Sequence, residues 1–318
     1  MLRLLPLLGL LALAACKKSH SDQLRDAMDR DQSISVNGIS RSYDVYAPEG
    51  QQNSPLVLLL HGHGGSAEEL MGHTRQRAPY ARWLHIAKCS NVVLAIPNGE
   101  KGSSGKTAWN DCRSDGTGNS SVDDVAFIDA LIDELASAYS IDTNRVYVQG
   151  TSNGGHMTIR LLQELPQRFA AAAVVAAALP ASAECASSTV PVSVAFMNGM
   201  EDPFMPYAGG SMINNRGTVL STDASIDYWV ERNGCNPTPE TVAYTDLDSK
   251  DKSTVARHTY VNGINNTEVV LFQVVGGAHT EPSRNEHYRR AIKKIIGPQT
   301  RDLEMAEELW KFFQPKSR

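Results

Sequence analysis

Apolar residues fall mostly into short unbroken runs, at 56–60, 92–96, 146–148, 171–178, 192–196 and 269–275. Runs of that length without alternation mark strands covered on both faces, as in a parallel sheet layered between helices. Between them the spacing changes. Across 122–139 the apolar positions Val122, Val125, Phe127, Ile128, Leu131, Ile132 and Leu135 recur at helical intervals. Asp123 and Asp124 stand near the start of that stretch, where acids suit the helix dipole. The stretches 226–232, 284–296 and 302–313 predict further helices. Strands alternating with helices need crossover connections, so the pattern predicts an α/β fold with a mostly parallel central sheet and helices on both faces. Ahead of the first buried run, 34–36 and 39–46 alternate around Asn37-Gly38, which accepts the angles of a tight turn. This predicts an N-terminal antiparallel hairpin.

The beginning of the chain follows another pattern. Arg3 precedes an apolar stretch at 4–12, and Leu13-Ala14-Ala15-Cys16 closes it with small residues before a cysteine. That arrangement is an export signal, too short for a conventional spanning helix. It resembles a bacterial lipobox, which implies cleavage before Cys16 and lipidation of its thiol. Lys17 follows, with no Asp to signal inner-membrane retention, so the expected location is the outer membrane, facing the periplasm or the outside. We therefore read 1–15 as a lipoprotein signal peptide, 16–33 as a polar tether and 34–318 as a single domain.

Composition adds exclusions. With 42% hydrophobic and 20% charged residues, the chain is neither disordered nor fibrous. Its net charge is -5 and no Lys/Arg run could track a phosphate backbone, which excludes nucleic acid as a partner. Beyond Cys16, the cysteines Cys89, Cys112, Cys185 and Cys235 form an even set in a disulfide-permissive compartment, with three connectivities open. No C-x-x-C pair or Cys/His cluster with ligand spacing appears, and the His61-x-His63 pair lacks a matching carboxylate, so a metal site is not expected.

The chemistry centres on Gly150-Thr151-Ser152-Asn153-Gly154, which follows a strand-like 145–149 and precedes a helix-like 157–165. This is G-x-S-x-G in the context of strand, sharp turn and helix that exposes a nucleophilic serine. A serine needs a positioned base and an orienting acid. Asp202 follows the run 192–196 and His279 follows 269–275, giving the chain order serine, acid, histidine. Glu201 competes with Asp202, and His258 and His287 with His279, but the Asp202-Pro203 step suits a projecting turn. Backbone amides of Asn153 and His63, the latter in the glycine-rich loop after 56–60, would form the oxyanion hole, with His61 bracing that loop. Trp109 and Asn110, in the polar segment 101–121, are candidates for substrate contact, and Asp123 and Asp124 for dipole partners.

Together, the segments 43–48, 60–66, 97–99, 109–110, 122–127, 150–155, 202–210 and 276–279 resemble the polyhydroxybutyrate depolymerase and feruloyl esterase group of α/β hydrolases. The resemblance implies carboxylic ester hydrolysis through an acyl-enzyme, without metal or organic cofactor, on Ser152, Asp202 and His279. Feruloyl or acetyl esters and short hydroxyalkanoate oligomers are the implied substrates. Glu281 stands where relatives often carry an aromatic residue, and His156 where a small or apolar one is common, which argues against a strongly apolar polymer. A serine peptidase on the same fold, or a surface lipoprotein binding without catalysis, are the other readings. The oligomeric state is open.

Overall fold

The computed structural model describes residues 21–73 and 79–318. Cys16, the expected signal peptide and the first residues of the expected tether lie outside them. Ten strands form the main sheet: β1 (Asp29–Val36), β2 (Ile39–Tyr46), β3 (Ser54–Leu60), β4 (Val93–Pro97), β5 (Ile141–Thr151), β6 (Ala171–Val175), β7 (Ser193–Gly199), β8 (Glu240–Ala243), β9 (Thr254–Tyr260) and β10 (Val269–Val275). Their spatial order is β1-β2-β4-β3-β5-β6-β7-β10-β9-β8. From β4 through β10 all neighbours run parallel, and antiparallel strands flank that block on both sides. This is the α/β-hydrolase fold, with the expected hairpin at its N-terminal edge.

The unbroken runs have a direct structural cause. Leu56, Leu58 and Leu60 face one hydrophobic cluster, and Val57 and Leu59 face the other. Each strand therefore needs apolar residues at every position. Helices α1 (Arg82–Ser90) and α6 (Met305–Phe313) cover one face, where Phe313 stacks on Tyr147 at 5.0 Å between ring centroids. The other face is covered by α2 (Asp124–Ala138), α3 (Asn153–Glu164) and α4 (Thr222–Asn233). A shorter helix, α5 (Arg290–Ile296), lies between β10 and α6. Among the described residues, no helix is long and apolar enough to cross a membrane.

Three expectations need correction. The described part of the tether is folded: Ser21–Asp26 is helical, Leu24 and Met28 are buried in the core, and β1 already begins at Asp29. Polar strand residues hid this, because β1 is an exposed edge with one buried neighbour. The polar stretch 238–253, where the hydrophobic pattern predicts no element, contributes β8 to the far edge, and all four residues of that strand are exposed. The helix expected across 284–296 begins only at Arg290.

Of the four cysteines, Cys112 pairs with Cys185, while Cys235 is a buried free thiol hydrogen-bonded to the Thr267 carbonyl. Cys235 sits among the apolar residues of one core cluster, where a thiol packs as a small hydrophobe.

Candidate active site

The candidate site lies where parallel strands end. The loops after β3, β5, β7 and β10 all leave the C-terminal edge of the sheet, the usual place for ligands in such folds. Ser152 sits between β5 and α3 with φ 54° and ψ -119°, a left-handed conformation that a non-glycine residue adopts at a cost. Glycines make the turn feasible. A Cβ on Gly150 would stand 2.0 Å from the Gly154 carbonyl oxygen, and one on Gly154 would stand 2.4 Å from that of Leu60. The Ser152 amide donates to the Val175 carbonyl at 2.9 Å, tying the turn to β6.

Asp202 and His279 are brought together by two loops that interlock. The Glu201 amide donates to the Gly277 carbonyl at 2.8 Å, and Gly199 leaves no room for a side chain against Gly277 and Ala278. The Asp202 carboxylate is buried. One oxygen accepts the amides of Phe204 at 2.7 Å and Met205 at 2.9 Å, and the other meets His279 Nδ1 at 2.6 Å. A carboxylate held at three points fixes the ring, so Nε2 is the nitrogen left for proton transfer. Glu201, the competing acid, is exposed. His258 is on β9, where its ring meets Thr241 at the far sheet edge, and His287 does not line the cavity described next.

Ser152 and His279 both line a cavity of about 390 Å³, together with Gly62, His63, Lys106, Phe204, Met212, Arg216, Glu281 and Tyr288. The Ser152 hydroxyl is not hydrogen-bonded to the ring, a contact that commonly tightens only around bound substrate. Asn153 opens α3, so its amide belongs to the first turn, whose donors have no partner within the helix. His63 belongs to the β3 loop and lines the same cavity. That loop is pinned by the Gly64 amide on the Thr107 carbonyl at 2.7 Å, and by His61. The His61 Nε2 accepts the Gly99 amide at 3.0 Å and Nδ1 faces the Gly62 carbonyl at 2.7 Å, which fixes a neutral tautomer. Burial agrees, lowering its pKa to about 4.

The expected substrate contacts are corrected by burial. Trp109 is fully buried: its indole donates to the His61 carbonyl at 2.8 Å and its amide to Asn153 Oδ1 at 2.7 Å. Asn110 lines a separate hollow with Arg160 and Gln163, and its amide donates to Asp124. Trp109 therefore braces the Ser152 turn through Asn153, and Asn110 ties its own loop to the start of α2. Asp124 does more than serve the helix dipole, since it is buried and pairs with Arg41 at 2.5 Å, while Asp123 caps α2 through the Ala126 amide.

The sequence reading missed Asp111. Its carboxylate is buried against the Arg113 guanidinium, and it also accepts from Asn153 Nδ2 and from Asn119 at 2.8 Å. Burial pushes its pKa up, but Arg113 and these donors outweigh burial and leave it below the ordinary value. The acid adjoins Cys112, whose pairing with Cys185 had no local signal to connect it with the nucleophile. Glu281 is also buried, accepting from Thr151 Oγ1 at 2.9 Å and from the Tyr288 hydroxyl at 2.5 Å. It forms part of the cavity wall.

The profile of the phospholipase/carboxylesterase family matches residues 42–227. The putative esterase NocK of Nocardia uniformis subsp. tsuyamanensis is 31% identical over 296 residues, covering 89% of this chain and 81% of its own. Feruloyl esterase D of Neurospora crassa is 26% identical over 291 residues, covering 89% of each chain. Among solved structures, a thermostable esterase superposes with a TM-score of 0.54 at 16% identity, covering 93% of this chain and 64% of that one. An acetyl xylan esterase from Aspergillus awamori superposes with a TM-score of 0.51 at 17% identity, covering 83% of this chain and 97% of that one. At such identities the solved structures bear on the fold alone.

Proposed function

Since this chain belongs to the phospholipase/carboxylesterase family of α/β hydrolases and is a carboxylic ester hydrolase, we propose that it cleaves its substrate through an acyl-enzyme on Ser152. The observation that carries this reading is the Asp202–His279 hydrogen bond at 2.6 Å, set beside Ser152 on one cavity. His279 Nε2 takes the hydroxyl proton as Ser152 Oγ attacks the ester carbonyl. The imidazolium is stabilised by the buried Asp202 carboxylate, and the same proton then passes to the leaving alcohol. Water repeats the sequence on the acyl-enzyme, releasing the acid and restoring the serine. The tetrahedral oxyanion is received by the amides of Asn153 and His63, with α3 adding its positive end.

For the substrate, feruloyl esters are supported by the likeness to feruloyl esterase D, and acetyl esters on plant polysaccharide need the same acyl-transfer chemistry. Short hydroxyalkanoate oligomers fit the same chemistry. Polar cavity walls at Glu281, Tyr288, Lys106 and Arg216 favour these over an insoluble apolar polymer. The lipobox-like start supports export and anchoring through Cys16.

The test uses purified protein lacking its first twenty residues against 4-nitrophenyl acetate, methyl ferulate and a hydroxybutyrate dimer. A fluorophosphonate probe should label Ser152, and Ser152→Ala should lose both the label and several orders of magnitude in turnover. Full activity in that variant would overturn the reading. Faster cleavage of peptides than of esters would favour a peptidase.

A further inference from the structure

The cavity at Ser152 has an electrostatic asymmetry that ester hydrolysis does not require. Lys106 and Arg216 both line it, and among the described residues neither takes part in an ion pair. The protein as a whole carries a net charge of -5, so this wall reverses the overall sign. Nearby Arg113 pairs with Asp111 at 2.5 Å, so that carboxylate is committed to Arg113 and only partly offsets the charge of Arg216.

Both cations are delivered by pinned backbone. Arg113 donates to the Arg216 carbonyl at 2.5 Å, and the Met212 amide reaches the Gly217 carbonyl at 2.8 Å, closing the turn that carries Arg216. Lys106 precedes Thr107, whose carbonyl holds the Gly64 amide, and its stem packs over Gly64. His63 lines the same cavity: burial lowers its pKa to about 4, and Arg216 and Lys106 are the next causes. It is therefore neutral near neutral pH and adds no charge of its own. Arg216 is half-buried, and its own pKa is lowered by burial and by Arg113. Holding a partly desolvated cation beside another cation costs stability, and a fixed anionic ligand is the natural compensation.

Resting on the serine-esterase reading, we propose that the preferred ester carries a carboxylate elsewhere in the molecule, seated between Lys106 and Arg216 while Ser152 attacks the ester carbonyl. A carboxylate matches the planar fork of the arginine. A dianion fits less well, because Glu281 lines the same cavity. The carboxyl oxygens of Glu281 are already engaged by Thr151 and Tyr288, so it does not compete for the two cations.

The experiment compares kcat/KM within two pairs of esters at low ionic strength. One pair puts the charge on the acyl side, mono-4-nitrophenyl glutarate against 4-nitrophenyl valerate. The other puts it on the alcohol side, carboxymethyl butyrate against ethyl butyrate. The charged member of at least one pair should be favoured by about tenfold or more, and the preference should shrink in added salt. In the Lys106→Gln/Arg216→Gln double variant, checked for a melting temperature no lower than that of the unsubstituted protein, the preference should disappear, and Arg216→Glu alone should reverse it. Equal or poorer use of the charged member in both pairs, or a preference that survives the double substitution, overturns the proposal. If none of the four esters shows turnover that Ser152→Ala removes, the serine-esterase reading falls and takes this inference with it.

Discussion

Asp202 is the proposed orienting acid. It is buried, with two amides on one oxygen and His279 on the other. Asp202→Asn would keep the size but present a donor to the ring, favouring the wrong tautomer, and should lower kcat by about 10³- to 10⁴-fold with the melting temperature little changed. Steady-state kinetics and a thermal melt check this together. His61 and His156 have a different consequence. Burial lowers their pKa values to about 4 and about 3, below the 6.5 of an unfolded chain. The unfolded state therefore binds protons first. Their contribution to stability is complete above pH 6.5 and is lost as pH falls towards 4, at about 1.4 kcal/mol per pH unit for each histidine. Urea midpoints measured from pH 7 to pH 4 should fall accordingly, and His156→Leu should flatten that slope by about one proton.

At the scale of elements, the nucleophile turn depends on what stands beneath it. β5 and α3 can meet at Ser152 only because Gly150 and Gly154 lack side chains. Gly150→Ala should cost at least about 2 kcal/mol or prevent folding, since its Cβ would be driven into backbone. Gly105→Ala is the matched control. That residue is exposed, with φ +73° and open space around it, so strain alone should cost about 1 kcal/mol. Chemical denaturation of the two variants separates crowding from strain. Asn153 joins this turn to the loop carrying Trp109 and Asp111. Asn153→Ala leaves the oxyanion amide in place but frees its support, so kcat should fall more than KM rises, by about tenfold.

Across the whole molecule, the Cys112–Cys185 bridge spans 73 residues and clamps the loop that supplies Asp111 and Arg113. Replacing both cysteines by serine should remove about 2–4 kcal/mol, read from the urea midpoint, and should lower kcat as Asp111 loosens. The sheet was legible in the sequence because its strands are covered on both faces and carry apolar residues at every position. The first half of β1 and the whole of β8 were not, because exposed edges impose no such pattern. The same contrast runs through the site. Turn chemistry, chain order and family resemblance made Ser152, Asp202 and His279 candidates, since each lies just beyond a strand whose end position follows from the hydrophobic pattern. Contacts between distant segments carry no such mark. Trp109 reads equally well as a pocket wall or a brace until the fold buries it beneath Asn153. Asp111 looks like one loop acid among many until Arg113 and Asn153 converge on it, and Lys106 and Arg216 share a cavity only because two separate turns meet over Ser152. The sequence by itself determined the central strands, the helices between them and the candidate residue types, because periodicity and turn chemistry are local. Which side chains support, charge and shape the cavity was decided by tertiary structure alone, because those relations arise only when distant loops pack.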